Sequence, residues 1–328
     1  MGKKPLGSGP QPADPEGMTL GEWLAKMRDT KRMMIRQRFP HESWKDEYIA
    51  TIVARAEEEV LFLIRSFLIE SGFTYWCNIS YMGLMEARKT DPELYRELLN
   101  DPFTRRLVQY AEDPDGGHPP PWEGNTWIAD LLPEEPKLAL QGLEAYTHAY
   151  RWHFSDNQIW GHWDVEELIR AKFIGVPGSN PEAIQVLHDA GWRKLECLVE
   201  RLYFHMGYDT ELTQPSNDGG RDVIARKAKA GEKEVVLVDC KLYTRTIGVG
   251  EARKILGTMG DARATKGAIV TTSTFSSGAR EFADRNPIEL IDGDHLIPLL
   301  NQHVGGRWPL QIDQLCLEAQ QPGVHSHG

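Results

Sequence analysis

The 328-residue sequence is poor in cysteine. It has only four, Cys77, Cys197, Cys240 and Cys316, far apart and without a CxxC pair or a zinc-type Cys/His spacing. A disulfide scaffold is therefore not expected, and a reducing cytoplasm is the expected compartment. No run of roughly 18 apolar residues is present, so no helix is expected to cross a membrane. The opening stretch MGKKPLGSGPQPADPEG has basic residues but no apolar segment behind them, and is not expected to act as a secretory signal. No repeat of solenoid period is visible. Basic charge is also in deficit, with 37 Lys and Arg against 48 Asp and Glu and a net charge of −11. That sign does not suit a general nucleic-acid binder.

The deficit is uneven. Residues 191–300 hold 16 basic and 16 acidic residues, so the remainder carries the whole −11. A DNA-facing surface is therefore expected in the C-terminal half, while the acidic N-terminal half is compatible with docking a partner protein. The hydrophobic content of 41% suffices for one large or two ordinary domains.

Composition divides the chain. Residues 1–17 are rich in Gly and Pro and are expected to be disordered. Residues 18–175 read as a mostly helical, aromatic-rich domain. Thr19 is a candidate N-cap for a helix toward residue 38. Apolar steps of three and four predict a long helix over 43–73, and further helices over 135–150 and 164–173. Eight of the ten tryptophans precede residue 164, and YRWHFSDNQIWGHWD at 150–164 adds more rings. These aromatics are expected to form a core rather than a pocket for a flipped base. GVPGSNP at 175–181 reads as a linker before a helix capped by Ser179 or Asn180 with Pro181 at its first position, so the boundary is drawn over 176–185. A second domain follows over 186–304, then a C-terminal tail over 305–328, expected to be mobile from about Glu318. His325 and His327, in that tail, are weak metal candidates.

The second domain has a different texture. Residues 192–206 are amphipathic, with Gly207 where a helix should end. Strands are predicted over 208–212, 221–226 and 234–242, the first two joined by the turn PSNDGG at 215–220. A helix over 249–264, a strand over 268–272, a helix over 276–285 and a strand over 288–291 complete the order α-β-β-β-α-β-α-β. The fold class is thus α/β, a mixed sheet with helices on both faces.

Asp222 begins the second strand. Asp239 and Lys241 stand two apart on the third, so their side chains share a face. If the two strands are neighbours, all three converge, with Glu196 on the preceding helix within reach. Hard carboxylate oxygens suit Mg²⁺, which can activate water and offset charge on a phosphate. A lysine can orient that water or stabilise the charged transition state. Arg221, Arg226, Lys227, Lys229 and Lys233 flank these strands as a candidate basic rim for phosphates; the 227–233 lysines equally suit an exposed hairpin loop.

Several segments together carry a resemblance. LECLVERLYFHMGYDTELTQPSNDGGRDVIARK, VVLVDCKLY, EARKILGTMG, GAIVTTSTFSSGAREFA and IELIDGDHL occur in that order over about 190–302. Here the chain resembles the Mrr-type restriction endonuclease domain, a branch of the PD-(D/E)xK nucleases. The resemblance implies a restriction-endonuclease-like sheet and a metal-dependent DNA endonuclease. Glu196 matches the family's helix acid, Asp222 its metal-binding aspartate and Lys241 its catalytic lysine. Asp239 departs from the usual glutamine and restores the acid of the broader superfamily. The implied metal ligands are Asp222, Asp239 and the Cys240 carbonyl, and the implied cofactor is Mg²⁺, for which Mn²⁺ can substitute. Thr271, Thr272, Ser273, Phe275 and Ser276 match a structural segment with no chemistry assigned, and a hydroxyl-rich helix cap is expected there.

The implied partner is double-stranded DNA, with restriction or defence against foreign, modified DNA as the expected role. A homodimer would suit cleavage of both strands. A repair or junction-resolving nuclease, or a non-catalytic DNA-binding module that keeps the fold, stays open at this point.

Overall fold

The computed structural model describes residues 17–29, 37–72, 75–151, 154–214, 221–229, 232–260 and 263–321. The 1–16 segment, the 215–220 turn, Trp152, His153, His325 and His327 lie outside these residues, as do the side chains of Lys229 and Lys233. The chain forms two compact units that meet at Gly175–Val176.

The N-terminal unit is helical: α1 Leu20–Asp29, α2 Glu42–Thr51, α3 Glu57–Phe67, α4 Tyr75–Thr90, α5 Pro92–Leu98, α6 Pro102–Glu112, α7 Pro136–Tyr150 and α8 Asp156–Ile169. Thr19 opens α1 as predicted. Its hydroxyl accepts from Glu22 N while Glu22 reaches back to Thr19 N. The single helix predicted over 43–73 is two helices. After α2 comes a short 3₁₀ turn, then Arg55 and Ala56 go extended before α3 starts. Arg55 is fixed there by Glu59 at 2.8 Å and by the Tyr48 ring, 4.1 Å below its guanidinium. The helix predicted over 164–173 instead begins at Asp156, with a Ser155–Gln158 capping box, and ends in a π-turn over Arg170–Ile174. The aromatics do form core. Trp23, Phe39 and Phe67 meet in one cluster and Trp122, Tyr146 and Phe154 in another.

Two polar clusters lie inside this unit. His162 is buried between Asn125 Nδ2 at 3.0 Å and Thr147 Oγ1 at 2.8 Å. Thr147 already donates to Leu143 O, so its oxygen accepts from His162 Nδ1–H and Nε2 accepts from Asn125. Burial holds this imidazole neutral, with its pKa lowered to about 3. Lys45, also buried, bridges Glu42, Asp164 and Glu167 at 2.9–3.1 Å.

The C-terminal unit contains α9 Asn180–Ala190, α10 Trp192–His205, β1 Asp209–Leu212, β2 Val223–Lys229, β3 Glu232–Lys241, α11 Val249–Met259, β4 Lys266–Thr271, α12 Ser277–Ala283, β5 Ile288–Ile291, α13 Gly293–His303 and α14 Ile312–Ala319. The sheet runs β1-β2-β3-β4-β5, with the first three strands antiparallel and the last three parallel. One face carries Val223, Ala225, Val236, Val238, Ala268 and Val270 against a core shared with α9, α10, α13 and α14. The other face packs Ile269 against Ile255 of α11 and Ala279 of α12. At Gly267 of β4, an added Cβ would lie 3.2 Å from both Ile255 and Met259, so α11 sits close to the sheet because this residue has no side chain.

The helix start read at Ser179 or Asn180 is observed, with Ser179 at the N-cap of α9 and Pro181 in its first turn, so the 176–185 linker bound overruns a helix whose Ala183 and Leu187 are buried. The tail read over 305–328 holds further structure. Trp308 is fully buried, and α14 packs along α10 with Ile312, Leu315 and Cys316 in the core. Polar ends on a short apolar stripe hid this helix in the sequence. Among the described residues, no helix is long and apolar enough to cross a membrane.

Candidate active site

The site lies where β2 and β3 meet beside the start of α11. Asp222 immediately precedes β2, whose first residue Val223 pairs with Val238. Its charge bears on both Asp239 and Lys241, so the two carboxylates are neighbours at this end of the β2–β3 pair. Asp222 is held at both ends of the residue. Its N–H donates to Val238 O at 2.9 Å, and its Oδ2 accepts from Cys240 N at 2.6 Å.

Alternation along β3 sends Asp239 and Lys241 to the α11 face. There Lys241 Nζ donates to Asp239 Oδ1 at 2.5 Å. Asp239 is 2% exposed, and burial pushes its carboxyl up to about 6. The Lys241 ammonium opposes that rise and the Asp222 charge adds to it. Burial alone would pull Lys241 down, but Asp239, Asp222 and Glu251 outweigh it and raise its pKa. The lysine is a cation here, suited to holding charge or orienting water rather than to accepting a proton.

Cys240 points its side chain the other way, against the α10-side core. Burial, followed by the charges of Asp222, Glu196 and Asp239, raises its thiol well above the ordinary range. It is no nucleophile.

Glu196 is placed differently from the other three. It lies on α10, which starts after Gly191 in the left-handed region at φ +93°. Arg193 Nη1 donates to Glu196 Oε2 at 2.6 Å and to Thr213 O at 3.1 Å. Thr213 in turn hydrogen bonds to Asp222 O through both its N–H and its hydroxyl. Glu196 is thus linked to the Asp222 backbone through Arg193 and Thr213. The acid whose charge bears on Lys241, alongside the two aspartates, is Glu251 in the first turn of α11. Lys254, one turn later, acts on Asp239.

Four residues were thus missed by reading the sequence: Arg193, Thr213, Glu251 and Lys254. A faint signal existed for Glu251, an acid at the third position of a helix following the DxK strand. Nothing in the spacing shows that α11 folds back over that strand.

The structure also separates the flanking cations. Arg221 adjoins Asp222, but Arg226 pairs with Glu211 at 3.0 Å, and Lys227 donates to Met206 O and lies over the Tyr208 ring. At about 3.3 Å per residue these two stand roughly 13–17 Å along β2 from Asp222. The hydroxyl-rich segment after β4 is structural. Ser276 caps α12, while Thr271 and Thr272 donate to the carbonyls of Lys241 and Tyr243, fixing the backbone that leaves β3.

Asp222 and Asp239 offer hard oxygens to a divalent cation, and Asp239 is raised chiefly by burial, with a smaller part from the Asp222 charge. The donor set therefore fits Mg²⁺ or Mn²⁺. Among the described residues, no three His, Cys, Asp or Glu side chains converge on one metal position. A third ligand would have to come from the main chain or solvent.

Residues 187–300 match a protein-family model described as restriction endonuclease. The chain is 29% identical over 131 residues to the type IV methyl-directed restriction enzyme EcoKMrr of Escherichia coli (strain K12), covering 38% of this chain and 43% of that protein. It is 30% identical over 210 residues to the uncharacterized protein y4cE of Sinorhizobium fredii (strain NBRC 101917 / NGR234), covering 63% of this chain and 50% of that protein. The chain spans about half the length of these curated relatives or less. Among solved structures, the DNA modification-dependent restriction endonuclease AspBHI has 22% identity and a TM-score of 0.35, with 43% of this chain and 40% of that chain covered. The MspJI restriction endonuclease, in complex with a 27-mer oligonucleotide, has the same identity and TM-score, with 46% and 38% covered.

Proposed function

We propose that the C-terminal unit, a restriction-endonuclease domain of Mrr type by its family match over residues 187–300, is a metal-dependent DNA endonuclease. The observation that carries the proposal is the Asp222 carboxylate seated on the Cys240 N–H, beside Asp239, and the bond from Lys241 to Asp239. It sets two hard-oxygen ligands and one cation side by side.

Asp222 and Asp239, with the Cys240 carbonyl, would hold Mg²⁺. The bound ion would supply Lewis-acid activation of water and charge neutralisation at the phosphate. Asp222 is oriented for this by the Cys240 N–H and by Thr213. Lys241, kept protonated by its acidic neighbours, orients the attacking water and stabilises charge on the phosphate oxygens. Glu196 braces the site through Arg193 and Thr213. Lys254 and Arg221 are the cations placed to take DNA phosphates near the scissile bond. By likeness to a methyl-directed enzyme, the biological role is restriction of modified foreign DNA.

A cleavage assay tests this reading. The full-length protein with Mg²⁺ or Mn²⁺ is expected to cut methylated or hydroxymethylated plasmid in preference to unmodified plasmid. Asp222→Ala and Lys241→Ala are expected to abolish the cut. Cleavage that survives both substitutions, or that proceeds in chelator, would refute it. Cleavage confined to branched DNA would move the role from restriction to repair.

A further inference from the structure

The loop and helix that follow the site are basic. From Lys241 to Lys254 the sequence holds four basic residues and one acid, in a chain of net charge −11. Arg245, Arg253 and Lys254 are exposed. Arg245 lies over the Tyr243 ring at 5.3 Å and Arg253 over the Phe282 ring at 5.8 Å, but none of the three makes an ion pair among the described residues. Elsewhere in the same unit Arg226, Lys266 and Arg280 each hold a carboxylate.

These cations share a helix face with two glycines. Gly250, Arg253, Lys254 and Gly257 recur at three- and four-residue steps on the exposed side of α11, opposite the buried Ala252, Ile255 and Met259. A glycine in a helix interior, as at Gly257, costs about 1 kcal/mol against alanine. Packing does not require either glycine, since an added Cβ would meet nothing within 4 Å, and neither has a positive φ. A face serving solubility alone would carry side chains there. Bare backbone beside unpaired cations suits a polyanion that comes close to the helix, which is the chemistry of a phosphodiester chain. The face also stands beside the site. Lys254 adjoins Ile255, which packs on Ile269, the register partner of Asp239. From Gly250 to Gly257 the helix advances about 10 Å, the length of about three nucleotide steps at 3.4 Å along one strand.

We propose that this face of α11, with Arg245 at its start, is the surface on which the cleaved DNA strand lies. Its cations take consecutive phosphates and its glycines let the strand approach. The inference rests on the endonuclease reading above and names the path of the substrate past that site.

Binding of a short methylated duplex to the full-length protein without divalent cations, over a series of salt concentrations, tests it. Arg245→Ala and Arg253→Ala should each lower the slope of log affinity against log salt by about one. Leucine is a better helix former than glycine and would project into open space at 257. Gly257→Leu should therefore keep or raise the melting temperature while weakening DNA binding by about tenfold. A residue of purely structural importance would lose stability together with binding. The proposal is overturned by unchanged slopes in both arginine variants, or by a Gly257→Leu chain that binds DNA as the native one does or unfolds more easily. Native binding with those results sinks this inference alone. A native chain that binds no DNA sinks the endonuclease reading with it.

Discussion

Each unit buries a cluster of ionisable groups, and the two are arranged to opposite ends. In the N-terminal unit, Lys45 is ringed by Glu42, Asp164 and Glu167, and His162 is clamped on both nitrogens. Both hold their helices together. In the C-terminal unit, Asp222 and Asp239 lie on neighbouring strands, with Asp222 held by the Cys240 N–H and Asp239 by Lys241. Both clusters hold more carboxylates than cations, and burial raises Asp164 and Asp239 alike to about 6. The difference is the setting: Asp164 is tied to Phe39 N and Lys45 between helices, while Asp222 and Asp239 stand at the end of a sheet.

The sharpest way to break this comparison is to unbalance the closed cluster. Lys45→Ala leaves Asp164 and Glu167 buried without their cation, and should cost about 3–5 kcal/mol in denaturant unfolding. A cost under about 1 kcal/mol would mean that cluster is not structural. Next in size is the acid response of His162. Its pKa is about 3 folded and about 6.5 in an unfolded chain, so the unfolded state binds more protons between those values. Its contribution is fully present above pH 6.5 and is lost as pH falls toward 3, on the order of 5 kcal/mol in all. Asp164, raised to about 6 by burial, runs the other way over the acid part of this range. The difference between native and His162→Gln unfolding curves isolates the histidine. A difference that does not change with pH would remove the neutral-imidazole assignment.

Smaller effects are expected around the sheet cluster. If Lys254 takes a DNA phosphate as proposed, Lys254→Ala should weaken DNA binding by roughly threefold to tenfold and lessen its salt dependence. An unchanged salt slope would take Lys254 out of the DNA surface. Asp222→Asn should leave stability unchanged or raise it by about 1 kcal/mol, since it relieves repulsion on Asp239. A loss comparable to that of Lys45→Ala would make the two clusters alike.

The two units also differ in how far the sequence exposes them. In the C-terminal unit, strand alternation and turn chemistry gave the element order and placed β5 at its observed ends. Spacing of two put Asp239 and Lys241 on one face, and neighbouring strands brought Asp222 beside them. The N-terminal unit was legible in class but not in parts. The apolar period runs unbroken across the α2–α3 break, because the tertiary contact at that break comes from Lys172, whose ammonium donates to the carbonyls of Ile52, Val53 and Arg55. Helices α5 and α6 announce themselves with Asp-Pro pairs, Asp91–Pro92 and Asp101–Pro102, whose aspartates cap them. That signal was local and available. Glu251 was not, because its place depends on how far the loop after β3 carries α11 back over the sheet.

The claim at the centre is that Asp222 and Asp239 together form a divalent-cation site. Thermal unfolding of the native protein, Asp222→Asn and Asp239→Asn, each with and without excess Mn²⁺, tests it most directly. A ligand at one hundred times its dissociation constant stabilises by about 2.7 kcal/mol. The native protein should show a rise in melting temperature of that order and both variants should show none. An equal Mn²⁺-dependent rise in all three proteins would place the cation elsewhere and contradict the account.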